Sequence, residues 1–344
     1  MRRGARLLLA AVGGVAGFAA ACALLTRAIA PAPAEAVLRA EWLAANGARF
    51  DTVFIGSSRT VRQVVPATFD GAMAESGRPT HSFNLGAAGM RAPEDAFVLE
   101  RALARRHEPL QFVLVECNPV RLGIPEQDRG TMRAVYWHDG ARVRTLWNRV
   151  WAHPTLAPEG RLGLGVGVRH LGKFADHLRH WAWNASRMGR APELVDPLIR
   201  AGMKPVDGPG LGPDGDGYDP GRRRRPMNAE EIARYERELA NAVARGKPDH
   251  YGDSESQAEL ARKRALARRF GAELVLVAPP TVGAAFAPLP GSGFLFLDFS
   301  SPARYPELFA VEHRYDRSHL NREGAVLYSR LLARELTRAL ARDS

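Results

Sequence analysis

Two serines follow a glycine directly after an apolar run in Phe54-Ile55-Gly56-Ser57-Ser58-Arg59-Thr60. The run Val53 to Ile55 has the β-branched and aromatic character of a buried strand. From Val61 the chain carries Pro66 and an apolar-periodic segment to Ala74, so Gly56-Ser57-Ser58 stands at a strand-to-helix corner. Such a corner exposes a serine hydroxyl and aims backbone N–H groups outward. The same two serines equally suit a turn that caps the following helix. A serine alone is a poor nucleophile and needs a base. Asp316 and His319, three residues apart in Tyr315-Asp316-Arg317-Ser318-His319-Leu320-Asn321, offer one. In a turn the carboxylate can fix the imidazole tautomer and stabilise the imidazolium. Acyl chemistry also needs donors for an oxyanion. Asn84, Gly86 and Gly89 after one apolar run, and Asn118 after another, can supply them.

These residues need a scaffold that brings distant segments to one edge. From Asp51 the pattern alternates: a strand at Thr52 to Ile55, a helix, a short strand in His81 to Gly86, a helix from about Pro93 to Arg106, and a strand at Gln111 to Cys117. That order predicts a parallel sheet covered on both faces. The alternation breaks from Asn118 to about Asn228, which holds five of the six tryptophans and an irregular glycine-rich loop from Gly208 to Arg225. This stretch reads as a partly helical insertion. Helices are expected at Asn228 to Ala244 and Ser254 to Phe270, strands at Ala272 to Pro280 and Phe294 to Phe299, and a closing helix at Arg322 to Leu340. In a parallel sheet the strand ends carrying the candidate residues share one edge, where ligands bind.

In their order these segments resemble the blocks of the SGNH (GDSL-like) hydrolase superfamily. Gly56-Ser57-Ser58 stands where Gly-Asp-Ser stands, which makes Ser58 rather than Ser57 the match to the nucleophile. Gly89 matches the glycine whose N–H serves the oxyanion hole, Asn118 matches the asparagine of the third block, and Asp316-x-x-His319 matches the closing block. The resemblance implies a three-layer α/β/α fold with a mainly parallel sheet, a Ser58–His319–Asp316 triad, an oxyanion hole from Ser58, Gly89 and Asn118, and no cofactor. It covers roughly 51–118 and 272–340, not the insertion. Two positions depart from the pattern: Glu116 stands where the third block has glycine, and Pro119 where it has aspartate. The whole is most similar to a membrane-anchored branch that includes proteins of alginate O-acetylation and of D-alanyl transfer to teichoic acids. That branch implies a serine esterase or O-acyltransferase acting on an acylated envelope polysaccharide, with a membrane acyl-transfer partner. The alternative is a non-catalytic carbohydrate-binding or assembly partner in such a complex. Arg59 and Asn84 are candidate substrate contacts, Arg59 for a carboxylate or phosphate.

The N-terminal segment sets the compartment. Arg2, Arg3 and Arg6 precede an uncharged stretch of 19 residues, Leu7 to Leu25. As a helix that stretch spans about 28 Å, enough for a bilayer core. Basic residues before it predict a cytoplasmic N-terminus and export of the remainder. A cleaved signal peptide is the rival, but the Ala-x-Ala at Ala28 to Ala30 is followed by Pro31. The expected plan is an anchor at 1–30 in the bacterial inner membrane, a linker and lead-in helix at 31–50, and a periplasmic domain at 51–344 with its insertion at about 119–227. The two cysteines, Cys22 and Cys117, make no disulfide framework and no cysteine-rich metal site. The net charge is +11, almost all arginine. No basic patch with interleaved aromatics accompanies it, so nucleic acid is not an expected partner. The run Arg222 to Arg225 reads as a solvated loop. His170, His177 and His180 lack a carboxylate to complete a metal-ligand pattern, and no metal is expected. Gly163 to Gly167 imitates a dinucleotide loop without a preceding strand, His313 is a rival base without a spaced carboxylate, and the tryptophans suit packing or a sugar-stacking platform.

Overall fold

The structure, a computed structural model, describes residues 2–28, 35–105, 108–129, 131–151, 164–186, 210–221, 225–245, 254–282 and 286–342. Arg222 to Arg224, residues 31–34 of the 31–50 linker, and Gly163 lie outside the described residues. In chain order the helices are α1 (Arg2–Ala28), α2 (Glu35–Asn46), α3 (Ser58–Gln63), α4 (Pro66–Glu75), α5 (Glu94–Leu103), α6 (Met132–Trp137), α7 (Gly140–Trp151) and α8 (Leu164–Ser186). They continue with α9 (Ala229–Arg245), α10 (Ser254–Arg268) and α11 (Arg322–Arg342), after a single helical turn at Pro306–Phe309. The strands are β1 (Thr52–Ile55), β2 (Ser82–Asn84), β3 (Phe112–Glu116), β4 (Glu273–Ala278) and β5 (Leu295–Asp298).

The chain forms two compact units, one of Glu35–Val120 with Gly208–Ser344, the other of Met1–Ala34 with Arg121–Asp207. The first is α/β and holds a five-stranded sheet in the order β2-β1-β3-β4-β5, every pairing parallel. Thr52 pairs with Ser82 on one side and Phe112 on the other, and Phe112 pairs with Glu273. Strands β1 and β3 are buried along their whole length, as continuous apolar runs in a covered parallel sheet should be. Alternate residues feed two separate cores, because strand side chains point to opposite faces. Val53, Ile55, Val113, Val115, Leu274 and Leu276 pack with α2, α5 and α10. Phe54, Phe112, Leu114, Val275 and Val277 pack with Phe69 and Met73 of α4 and with Tyr328, Leu332 and Leu336 of α11.

The loop containing Gly210 to Gly221, read from sequence as part of the insertion, instead packs within the sheet unit. Its Asp216 carbonyl accepts the Asn84 N–H at 2.7 Å, covering the exposed side of edge strand β2. Buried Arg39 of α2 holds the loop by donating to the Gly210 and Gly217 carbonyls, and to that of Gly86. Gly217, at φ +85°, is required there, since a Cβ would lie 2.0 Å from the Asn84 carbonyl oxygen. The lead-in helix α2 is likewise core: Ala36, Ala40 and Leu43 are buried in it.

In the other unit α1 is long and apolar enough to cross a membrane, with a mean hydropathy of 1.6 over Gly4–Ala21. The described part of the insertion is helical, from α6 to α8. Leu164 to Gly167 open α8 rather than form a phosphate-cradling loop.

Candidate active site

The strand order reverses around β1: the chain steps to β2 on one side and then to β3 on the other. Loops leaving β1 and β3 therefore diverge, and a crevice opens at their carboxyl ends. Ser58 and Asn118 follow those two strands.

The corner after β1 gives its two serines different tasks. Ser57 is the N-cap of α3, its Oγ accepting the Arg59 N–H at 3.3 Å. Ser58, the first residue of α3, directs its Oγ to His319 Nε2 at 2.8 Å. His319 Nδ1 lies 3.0 Å from both Asp316 oxygens. Asp316 Oδ1 also accepts the Ser318 and His319 N–H groups at 2.8 and 2.9 Å. Burial by itself would raise the Asp316 pKa, but the hydrogen bond and charge of His319, with those two amides, draw it down from 3.8 to about 2. The carboxylate is thus ionised wherever the imidazole must be oriented.

The His319 turn is held by residues outside the motif. Arg314, buried, donates to the carbonyls of Leu308, Arg317 and Pro280 and so ties the Asp316–His319 turn to the end of β4. The turn closes with Tyr315 N–H on His319 O at 3.0 Å. Gln63 Nε2, on α3, donates to Ser318 O at 3.0 Å and links the His319 turn to the helix that carries Ser58. His313 is occupied elsewhere, its Nδ1 on Glu307 O at 2.7 Å. Cys117 is buried, and burial pushes its thiol pKa up, which removes it as a competing nucleophile.

Glu116 lies against the corner rather than over Ser58. Its Oε2 accepts the Ser57 N–H at 2.7 Å and the Thr60 hydroxyl at 2.9 Å, and its Oε1 accepts the Ser57 hydroxyl at 2.9 Å. Arg59 Nη2 pairs with Oε1 at 2.5 Å. Burial favours the neutral acid, yet the Arg59 charge and the Ser57 donors prevail, and the pKa is lowered below its ordinary 4.5. Close approach of this carboxylate explains Gly56, where a Cβ would meet Thr60 Oγ1 at 2.1 Å and Glu116 Cβ at 2.4 Å.

Arg59 Nη2 also donates to Asn118 Oδ1 at 3.1 Å. That bond fixes which end of the amide is which. The Asn118 amide is near enough to favour ionised Glu116, but no acceptor is in hydrogen-bonding geometry with its buried Nδ2. Gly89 sits in the exposed turn after β2 at φ +73°. That turn hangs from the nucleophile corner through Ala87 N–H on Gly56 O at 3.0 Å.

Two candidate substrate contacts take other roles. Asn84 is fully buried, donating to the Thr60 and Val64 carbonyls and accepting the Gly86 N–H, so its amide is spent on closing α3 and the β2 loop. Arg59 pairs with Glu116 and Asn118 while keeping 18% of its side chain exposed. A cleft of about 420 Å³ adjoins the base, lined by Met227, Arg234, Tyr235, Tyr315, Asp316 and His319 among others.

In the insertion, His138, His177 and His180 stack with ring centroids about 5 Å apart, against Trp137 and Trp183. The sequence reading missed His138, which lies too far along the chain for any helical spacing. His170 lies outside the residues whose side chains are described. No group of three or more His, Cys, Asp or Glu among the described residues is arranged to hold a metal. His138 Nδ1 faces Ala134 O, His177 Nε2 faces Leu122 O, and His138 Nε2 meets His177 Nδ1. Two neutral rings supply two protons for these three contacts, so one contact goes without. Burial is the larger effect and lowers His138 to about 2 and His177 to about 4. No protein-family model matches the chain, and neither does any curated protein sequence.

Proposed function

We propose that the sheet unit is a serine hydrolase or O-acyltransferase of the SGNH type, in a three-layer α/β/α arrangement, held by α1 in the inner membrane with its site in the periplasm. The reading is supported chiefly by one observation: Ser58, His319 and Asp316 form a continuous hydrogen-bonded chain, at 2.8 Å and 3.0 Å. A binding module gains nothing from that chain, whereas a serine nucleophile needs it.

In this mechanism Ser58 Oγ attacks an ester carbonyl while His319 Nε2 takes its proton. The Asn118 Nδ2 and the Ser58 and Gly89 N–H groups stabilise the oxyanion. Collapse expels the alcohol, which receives the proton from His319, and leaves an acyl-Ser58. Water or a sugar hydroxyl, deprotonated in turn by His319, then attacks the acyl carbonyl and frees Ser58. Asp316 keeps its charge throughout, consistent with a pKa of about 2. The acylated polysaccharide and a membrane acyl-transfer partner belong to this proposal.

The test is hydrolysis of p-nitrophenyl acetate by the detergent-solubilised chain. Ser58→Ala should abolish the enzymatic rate, and Ser57→Ala should reduce it less. Equal rates for Ser58→Ala and wild type would leave the carbohydrate-binding alternative in possession of the site. A periplasm-active reporter fused after Ser344 should be active, and inactivity would reverse the topology.

A further inference from the structure

Outside α1, the described residues leave seven large hydrophobic side chains exposed, and five lie on one helix pair: Trp147 and Trp151 of α7, and Leu171, Leu178 and Trp181 of α8. Trp147 and Trp151 are four residues apart, and Leu171 and Leu178 seven, so each pair shares a helix face. The two stripes meet, since Trp147 packs on Phe174 of α8 at 5.0 Å, between Leu171 and Leu178. The buried side of α8 adjoins the stripe and is formed by His177 and His180.

The charge around the stripe is one-sided. Arg142 is buried and spent on Asp139 at 2.8 Å, but Arg144, Arg149, Lys173 and Arg179 remain against a single acid on the two helices, Asp176. Asp176 is already shared between Arg129 and Arg179, at 3.4 Å each. Exposed Arg144 lies on the tryptophan face of α7, and exposed Lys173 and Arg179 flank the leucines of α8. Exposed indoles and leucines beside a cationic, acid-poor flank are the pattern of helices that lie in a membrane interface. The same chain carries α1, which keeps a bilayer at high effective concentration.

We infer that the α7–α8 face docks on an anionic lipid surface, with Trp147, Trp151 and Trp181 at the boundary of headgroups and acyl chains. This is a second membrane contact, independent of the chemistry proposed for Ser58.

The full chain, reconstituted through α1 into vesicles of phosphatidylglycerol and phosphatidylcholine with brominated acyl chains, tests it by tryptophan quenching. Three of the six tryptophans are exposed on this face, so about half of the emission should be quenched. Replacing those three together by phenylalanine keeps the apolar bulk and should remove most of the quenching. Leu171→Glu with Leu178→Glu, at exposed positions and checked for native circular dichroism, should lower quenching at least twofold, as should omission of phosphatidylglycerol. Quenching that survives the three phenylalanine replacements would overturn the inference. So would indoles that stay open to iodide in the vesicle-bound chain, or a Leu178→Cys variant that cross-links between copies, which would assign the face to self-association.

Discussion

Replacing Glu116 by glutamine preserves its shape and removes one charge, and the geometry fixes the cost. In the native site Oε2 accepts from the Ser57 N–H and the Thr60 hydroxyl, and Oε1 from the Ser57 hydroxyl and Arg59. Hydroxyls can rotate to become acceptors, but an amide N–H and a guanidinium cannot. Whichever way the new amide turns, its NH₂ group meets either Ser57 N–H or Arg59, and Arg59 loses its counter-charge. Breaking a buried pair by removing one partner costs about 3–5 kcal/mol. Arg59 keeps 18% of its side chain exposed, so water offsets part of its loss. The lower end, about 3 kcal/mol, corresponds to a fall in Tm of about 6–12 °C for a unit of this size. Asn118 loses its anchor as well, because Arg59 holds its Oδ1. Misplacing one oxyanion donor should then lower kcat by about tenfold or more. Calorimetry and ester hydrolysis on the same preparation read both effects. A Tm within about 1 °C of wild type, with an unchanged rate, would refute the reasoning.

Other perturbations probe separate parts of the account. Lys263 Nζ and Asp95 Oδ2 pair at 2.6 Å with both side chains almost fully buried, so Asp95→Ala should cost about 3–5 kcal/mol while Asp95→Leu with Lys263→Met costs much less; equal losses in urea melts would contradict this. Because His138 and His177 are held neutral well below their ordinary 6.5, the unfolded chain takes up protons that the fold refuses. Insertion stability should therefore fall as the pH drops from 6.5 towards about 4, and His177→Asn should flatten that dependence in tryptophan-monitored melts. Asp316 acts in the same direction at lower pH, since its folded pKa also lies below the ordinary value: its contribution is fully present above 3.8 and is lost as the pH falls through about 2. Its carboxyl carbon should titrate near 2 by NMR, and a midpoint near 3.8 would deny the His319 contact.

Much of the sheet was legible because its signals are local. Short β-branched apolar runs such as Phe112 to Val115, set between helical patterns, point to buried strands, and the closing helix carries its own cap in Asn321, whose Oδ1 accepts the Gly324 N–H. The segments carrying Ser58, Asn118 and Asp316-x-x-His319 could be singled out for the same reason, since each carries its own short pattern. What positions them could not be. Arg314 and Gln63 act through backbone carbonyls remote in sequence, and nothing in a basic or amide residue announces such partners. Glu116 drew notice as a departure from a motif, but only the fold turns its carboxylate towards Ser57 and Thr60. Asn84 suggested a ligand contact by its place at a strand end, yet complete burial spends its amide on backbone. The loop from Gly210 to Gly221 read as insertion because glycine-rich stretches carry no periodicity, while its docking depends on buried Arg39, far earlier in the chain.

The central claim, that Ser58 is a nucleophile activated by His319, is tested most directly by a fluorophosphonate probe followed by peptide mass mapping. The account predicts one adduct, on Ser58, and little label on Ser58→Ala or His319→Ala. Because the two act as a unit, the double variant should lose little more than either alone. Label on Ser57, label on Ser58 that persists in His319→Ala, or no label on the folded wild-type chain would contradict it.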